Sequence, residues 1–167
     1  MDTVDPVVQE LDAHYMGEAL REARKAMTKE EVPVGAVVVC EGRVIGRAYN
    51  QVEMLKDATA HAEMLALTQA QAAMENWRLN ECTLYVTKEP CPMCAGAIIH
   101  TRVGRVVFGV SDTKVGALGG AFDLQSVKGL NHHFLVTKGV KEEESLELLQ
   151  SFFQARRNGK EKNDLPE

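Results

Sequence analysis

Aromatic side chains are scarce in this 167-residue chain, at 5%, which argues against an extended surface for stacking nucleic-acid bases. There is no basic excess either. Nineteen Lys and Arg against 24 Asp and Glu leave a net charge of -5, which argues against coating nucleic acid through many phosphate contacts while allowing a local basic patch. No run approaches the roughly 18 uninterrupted apolar residues of a membrane span. Four cysteines, at 40, 82, 91 and 94, are too few and too unevenly placed for a disulfide framework. The stretch Met1 to Glu10 carries Asp2, Asp5 and Glu10 and no basic residue, so no secretory or transit signal is expected. The expectation is a soluble cytoplasmic protein, in a reducing compartment where a Cys-x-x-Cys pair more often binds metal or catalyses than forms a disulfide.

Apolar residues at 45% and charged residues at 26% are ordinary globular composition, in a chain about the size of one domain. Residues 7 to 27 place Val7, Val8, Leu11, Tyr15, Met16, Ala19, Leu20, Ala23, Ala26 and Met27 at spacings of three and four, predicting an amphipathic helix. Two β-rich runs, 34–40 and 43–49, flank Glu41-Gly42 and predict a hairpin. A helix from about His61 to Asn76, a strand at 83–87, a helix from Cys91-Pro92 towards His100 and a strand at 105–110 follow. A short strand at 134–137 precedes a final helix over 142–157, with Leu146, Leu148, Leu149, Phe152 and Phe153 assigned to its buried side. Strands alternating with helices after an opening hairpin imply an α/β sandwich around one mixed sheet. No repeat or linker divides it: 1–157 reads as a single domain and 158–167 as a polar, flexible tail.

Two segments carry chemistry: His61-Ala62-Glu63 opening one helix, and Pro90-Cys91-Pro92-Met93-Cys94 opening the next. Cys91 and Cys94 share a helical turn, so both sulfurs can reach one ion, and His61 would be a third ligand. Three protein ligands leave a tetrahedral Zn²⁺ one open position, the catalytic rather than the structural arrangement. Helix N-termini favour the thiolate forms, and Pro92 suits a first helical position, where its missing N–H costs nothing. On one ideal helix, positions 61 and 63 point about 200° apart. His61 is therefore expected at the helix boundary, with Glu63 reaching a zinc-bound water from the first turn as proton shuttle. A Cys-x-x-Cys pair near a β/α pattern also reads as a redox dithiol. Residues His61 and Glu63 opening the preceding helix favour the metal site.

The order His61-x-Glu63…Pro90-Cys91-x-x-Cys94 resembles the zinc-deaminase signature. The likeness extends through Val32-Pro-Val-Gly-Ala36, Asn50, Thr59-Ala-His-Ala-Glu63, Thr83-Leu-Tyr-Val-Thr87, Glu89 to His100, Gly104-Arg-Val-Val-Phe-Gly109 and Asn131-His132. Over residues 10 to 157 the chain resembles the bacterial tRNA-specific adenosine deaminases of the cytidine/deoxycytidylate deaminase superfamily. That resemblance implies a three-layer α/β/α sandwich around a five-stranded mixed sheet, a homodimer with one Zn²⁺ per chain, and conversion of the wobble adenosine in a tRNA anticodon stem-loop to inosine. It implies that His61, Cys91 and Cys94 hold zinc, that Glu63 moves protons, that Asn50 hydrogen-bonds the flipped base and that the Ala62 backbone lies near the reacting ring. It also implies that Asp112 and Lys114 approach flanking nucleotides, and that Phe153, Arg156 and Arg157 meet the anticodon loop.

Each substrate residue has a plainer reading on residue type. Asn50 suits a turn, Asp112 a cap after a strand, Phe153 the core, and Arg156 with Arg157 a solvated helix end. Cys40 and Cys82 read as small buried apolar residues. The chain departs from the family pattern modestly: Ala58 stands where proline often follows the aspartate, and Ser111 and His133 replace arginines of some relatives. Two other functions stay open: a small-molecule guanine or cytosine deaminase sharing the zinc residues, and a non-enzymatic zinc or redox module. Glu63 and the missing fourth ligand speak against the module. The aromatic-basic end of the last helix speaks against a closed free-base pocket, while the net charge favours one.

Overall fold

The computed structural model describes residues 5–163. Asp5 caps the first helix, α1 (Pro6–Thr28), by accepting from the Val7 N–H at 2.9 Å, and Pro6 occupies the first turn. Met16, Ala19, Leu20, Ala23 and Ala26 form its buried stripe. The hairpin of β1 (Gly35–Cys40) and β2 (Arg43–Tyr49) turns at Glu41 and Gly42, with φ of 50° and 74°. Positive φ at both central residues is the geometry whose twist matches a two-residue hairpin. A four-residue helix, α2 (Val52–Leu55), then leads to α3 (Ala62–Met74). Strand β3 (Cys82–Lys88), α4 (Pro92–His100) and β4 (Arg105–Val110) form a parallel crossover. A 3₁₀ turn at Leu124–Ser126 precedes β5 (Leu135–Thr137) and α5 (Glu142–Asn163).

The five strands run in the order β2-β1-β3-β4-β5, with β1 antiparallel to both neighbours and β3, β4 and β5 mutually parallel. Every residue of β1 is buried, because a helical layer covers each face. Ala36, Val38 and Cys40 face α3 and α4, together with Leu84, Val86, Val106 and Phe108. Val37, Val39, Tyr85 and Val107 face Met16, Ala19 and Leu20 of α1, and Leu148 of α5 packs on the same cluster. This is the expected three-layer sandwich. Helix α3 presents Ala62, Ala66 and Ala70 to the sheet, and a Cβ added to Gly46 on β2 would stand 2.5 Å from the Ala66 carbonyl oxygen. Small residues on both sides let the α3 backbone rest on the strands, which fixes the height of its N-terminus.

Helix α5 departs from its predicted face. Ser145, Leu149 and Phe152, spaced i, i+4 and i+7, are buried, whereas Leu146 is 40% and Phe153 45% exposed. One narrow stripe suffices against α1 and β4, and its neighbours on the helix surface stay at the rim. The helix continues to Asn163, so residues 158–163 of the segment read as a tail are helical, and 164–167 lie outside the described residues. Among the described residues no helix is long and apolar enough to cross a membrane.

A polar network ties α1 to the sheet. The Arg105 guanidinium donates to both oxygens of Asp12 at 2.8 and 2.6 Å and to the Thr137 hydroxyl at 2.8 Å. The Tyr85 hydroxyl donates to Asp12 at 2.9 Å, and burial together with this bond pushes its pKa up. Replacing Asp12 by Ala strands a guanidinium and a buried hydroxyl, so a loss of about 3 kcal/mol in unfolding free energy is expected. Urea denaturation measures it; a loss below about 0.5 kcal/mol would mean that the network contributes no more than an ordinary surface contact.

Candidate active site

His61 is the N-cap of α3, with extended backbone at φ −72° and ψ 151°, and Glu63 is the second helical residue. Because the helix begins only at Ala62, the opposition of positions 61 and 63 expected on a continuous helix does not arise. The approach to this cap is rigid. Asp57 accepts from the Thr59 N–H and hydroxyl at 2.8 and 2.7 Å, and the Gln51 N–H reaches the Ala60 carbonyl at 3.0 Å. Cys91 is likewise the N-cap of α4, at φ −72° and ψ 173°, with Pro92 first and Cys94 third in the helix. Neither cap makes a side-chain capping bond, so both helix N-termini leave donors facing the site.

The two N-termini meet because α3 and α4 lie side by side on one sheet face. The Nδ1 atom of His61 is 3.6 Å from the Cys91 Sγ and 3.5 Å from the Cys94 Sγ, and all three atoms lie within 4.8 Å of one another. Tetrahedral zinc, with bonds of about 2.1 Å to nitrogen and 2.3 Å to sulfur, requires N···S edges of about 3.6 Å. The donor set and its spacing therefore fit a metal ion, with His61, Cys91 and Cys94 able to hold it. The hydrogen bond from Cys94 pulls the Cys91 thiol down to about 4, against its burial. The same bond and burial push Cys94 up, and the bond to Cys91 raises His61 against its own desolvation. Glu63 is 4% exposed, and burial raises its carboxyl despite the backbone N–H and Cys94 that favour its charged form.

His61, Cys91 and Glu63 line a cavity of ≈ 310 Å³, within the range of small-molecule sites, whereas Cys94 is fully buried and does not line it. Of the residues singled out from sequence, Asn50, Ala62, Asp112, Phe153 and Arg156 line it along with His61, Glu63 and Cys91. Asn50 and Ala62 are buried. The Phe153 ring stands at the mouth, not in the core, and Arg156 packs its guanidinium 4.8 Å over the Phe152 ring. Arg157 does not line this cavity; it borders an adjoining groove that it shares with Met27, Glu30, Phe153 and Arg156. Lys114 borders neither and is exposed, its N–H donating to Asp112 at 2.9 Å. Asp112 does cap its turn, accepting also from the Val115 N–H at 3.1 Å; desolvation raises its pKa, but the Lys114 N–H, Lys88 at 3.0 Å and the Val115 N–H together hold it below the usual value.

The sequence reading did not single out the lining residues Glu31, Val52, Glu53, Lys88 and Val115, and it gave Glu89 no role beyond its place in a segment that carries the resemblance. Glu31 is fully buried beyond the C-terminus of α1 and accepts from the Glu53 and Met54 N–H groups at 3.2 and 2.6 Å, capping α2 from a distance. The Asn50 amide nitrogen lies 3.5 Å from the same carboxylate. The only available signal was position: Glu31 directly precedes, and Glu89 opens, a segment that carried the resemblance.

The model of the MafB19-like deaminase family matches residues 11–157. The chain is 48% identical over 149 residues to a tRNA-specific adenosine deaminase of Bacillus subtilis, covering 89% of this chain and 92% of that protein. A solved structure from a study of A-to-I editing by tRNA:A34 deaminases at the wobble position superposes with a TM-score of 0.77 and 43% identity, over 81% of this chain and 99% of the other. A guanine deaminase from Nitrosomonas europaea is more distant, with a TM-score of 0.73 and 26% identity over 91% and 94% of the two chains.

The donor triangle makes a direct prediction. Metal-free protein titrated with Co²⁺ is expected to show a thiolate charge-transfer band and tetrahedral d–d absorption, both lost in Cys91→Ala. Uptake must displace protons from the cysteine thiols and the imidazole, so affinity should weaken as pH falls. Titration at two pH values checks this, and equal affinity at both would contradict the protonation pattern.

Proposed function

This chain belongs to the MafB19-like deaminase family, and from that premise we propose that it hydrolyses the 6-amino group of the wobble adenosine in a tRNA anticodon, yielding inosine and ammonia. The observation that carries the reading is the buried Glu63 carboxylate close to the His61, Cys91 and Cys94 cluster, with Glu63, His61 and Cys91 lining a cavity open to solvent. A zinc ion held by those three residues would supply a Lewis acid with one free position, making water nucleophilic near neutral pH. Glu63 takes a proton from the attacking water and returns it to the departing nitrogen. Burial raises its pKa, which helps the carboxyl keep the proton it has taken until the departing nitrogen receives it. Ala62, first in α3, offers an N–H that the helix leaves unpaired, and the Asn50 side chain orients the base.

The adenosine must leave its stack to reach the floor. In the single-stranded loop of an anticodon stem this costs little, and the flipped base is read by hydrogen bonds and stacking. Phe153 and Arg156 at the mouth, Arg157 in the adjoining groove, Asp112 on the cavity wall and the exposed Lys114 outside it form the surface that would meet flanking nucleotides. Few phosphate contacts are needed, which reconciles an RNA substrate with a net charge of -5. The reading includes zinc as the ion, a cytoplasmic location and a homodimer. Exposed Met54, Leu55, Val115 and Phe122 give such a dimer apolar surface to cover.

Two variants test this reading. Glu63→Ala should keep its metal and fold while losing about 10²-fold or more in kcat on an anticodon stem-loop. Near-normal inosine formation by that variant would remove the proton shuttle from the mechanism. Arg156→Ala combined with Arg157→Ala should raise KM for the stem-loop with a smaller change in kcat, as expected for lost uniform binding. Steady-state kinetics at two salt concentrations, with free adenosine and guanine as parallel substrates, would show this. Wild-type behaviour on RNA and preferred turnover of guanine would instead support the small-molecule reading.

A further inference from the structure

Glu89 follows β3 and stands two residues before Cys91, and its carboxylate bonds the segment after β4 and none of the three donors. It is 3% exposed, and its carboxylate accepts three backbone N–H groups from a single segment. Asp112 donates to one oxygen at 3.0 Å, and Leu118 and Gly120 donate to the other at 3.0 and 2.9 Å. The main chain adds two more ties, Glu89 N–H to the Val110 carbonyl and Ala117 N–H to the Pro90 carbonyl, both at 2.9 Å. The segment closes tightly around this group. A Cβ at Gly116 would stand 2.4 Å from the carboxyl carbon, so only glycine lets the backbone come so near. The wrapped segment contributes Asp112 and Val115 to the cavity wall.

We propose that Glu89 is a positioning residue for the RNA: its buried carboxylate is the mould on which segment 112–120 sets, and it thereby holds the cavity wall at a fixed height above the Cys91 turn. The inference rests on the RNA-editing reading above. All three partners are donors, so both oxygens must accept. Gln in this place offers one accepting oxygen and one donating nitrogen, and in either orientation at least one backbone N–H faces another N–H. Leaving a buried donor unpaired favours loop conformations in which the wall is no longer formed, and substrate must pay to restore it. Asp keeps both acceptors, one methylene short.

The test measures metal content, melting temperature, KM and kcat on an anticodon stem-loop for wild type, Glu89→Gln and Glu89→Asp. Glu89→Gln should retain its metal and raise KM about tenfold with kcat changed less than about threefold, with Glu89→Asp between it and wild type. Gly120→Ala, which pushes a methyl group at the carboxylate from the segment's side, should raise KM similarly, and its combination with Glu89→Gln should be no worse than the stronger single change. In the wild-type protein the amides of Asp112, Leu118 and Gly120 should exchange slowly and together, a result independent of whether any variant folds. Fast, independent exchange of these amides overturns the proposal, as does an unchanged KM in the variants. Loss of metal with a falling kcat at constant KM also overturns it, because Glu89 would then serve the cysteine turn. Wild-type protein forming no inosine from the stem-loop would instead overturn the functional reading itself.

Discussion

The approach of one imidazole nitrogen to two sulfurs, at 3.5 and 3.6 Å, is the constraint on which the rest of this structure depends. It requires two helices to begin at the same height on the same face of the sheet. The alanine face of α3 lying on the strand glycine at 46, and the parallel crossover that places α4 beside it, supply that geometry. It also requires both helices to begin one residue late, with His61 and Cys91 in extended conformation as caps that bond no backbone N–H with their side chains. An imidazole nitrogen that served its own helix as a cap would have no lone pair left for an ion.

Two further buried carboxylates flank the site. Glu31 gathers the amides of α2 near Asn50, and Glu89 gathers those of the 112–120 segment near Asp112. Each replaces a missing secondary-structure ladder by a charge that accepts several backbone donors at once, which is how irregular walls can be held in place beside a cavity. The same logic appears at distance from the site, where Asp12 joins α1 to β3 and β4.

Much of this was legible in the sequence, for physical reasons. Helical spacing in α1, the Glu41-Gly42 turn and the alternation of strands and helices depend on local periodicity and turn chemistry, so the layers could be read directly. The donor set was legible because metal ligation restricts residue type and spacing, and the geometric conflict between positions 61 and 63 located the helix boundary. Glu31, Glu89 and Asp12 were not legible, because an acidic residue paired with donors 22 or more positions away in sequence looks the same as a solvated one. Helix α2, with four residues, is too short to carry a period. The rim positions of Leu146 and Phe153 were missed because an apolar stripe on a helix shows which side faces inward but not how wide the contact is.

Phe153, assigned to the buried side by helical spacing and to the anticodon loop by the resemblance, stands at the mouth of the cavity near Arg156. The central claim is that this cavity hydrolyses adenosine within RNA. Its most direct test is to incubate the protein with an anticodon stem-loop in ¹⁸O-labelled water and follow RNA mass and ammonia together. The account predicts one labelled oxygen in the wobble nucleoside for each ammonia released. Unlabelled or unchanged RNA, with ammonia released from free guanine instead, would contradict it.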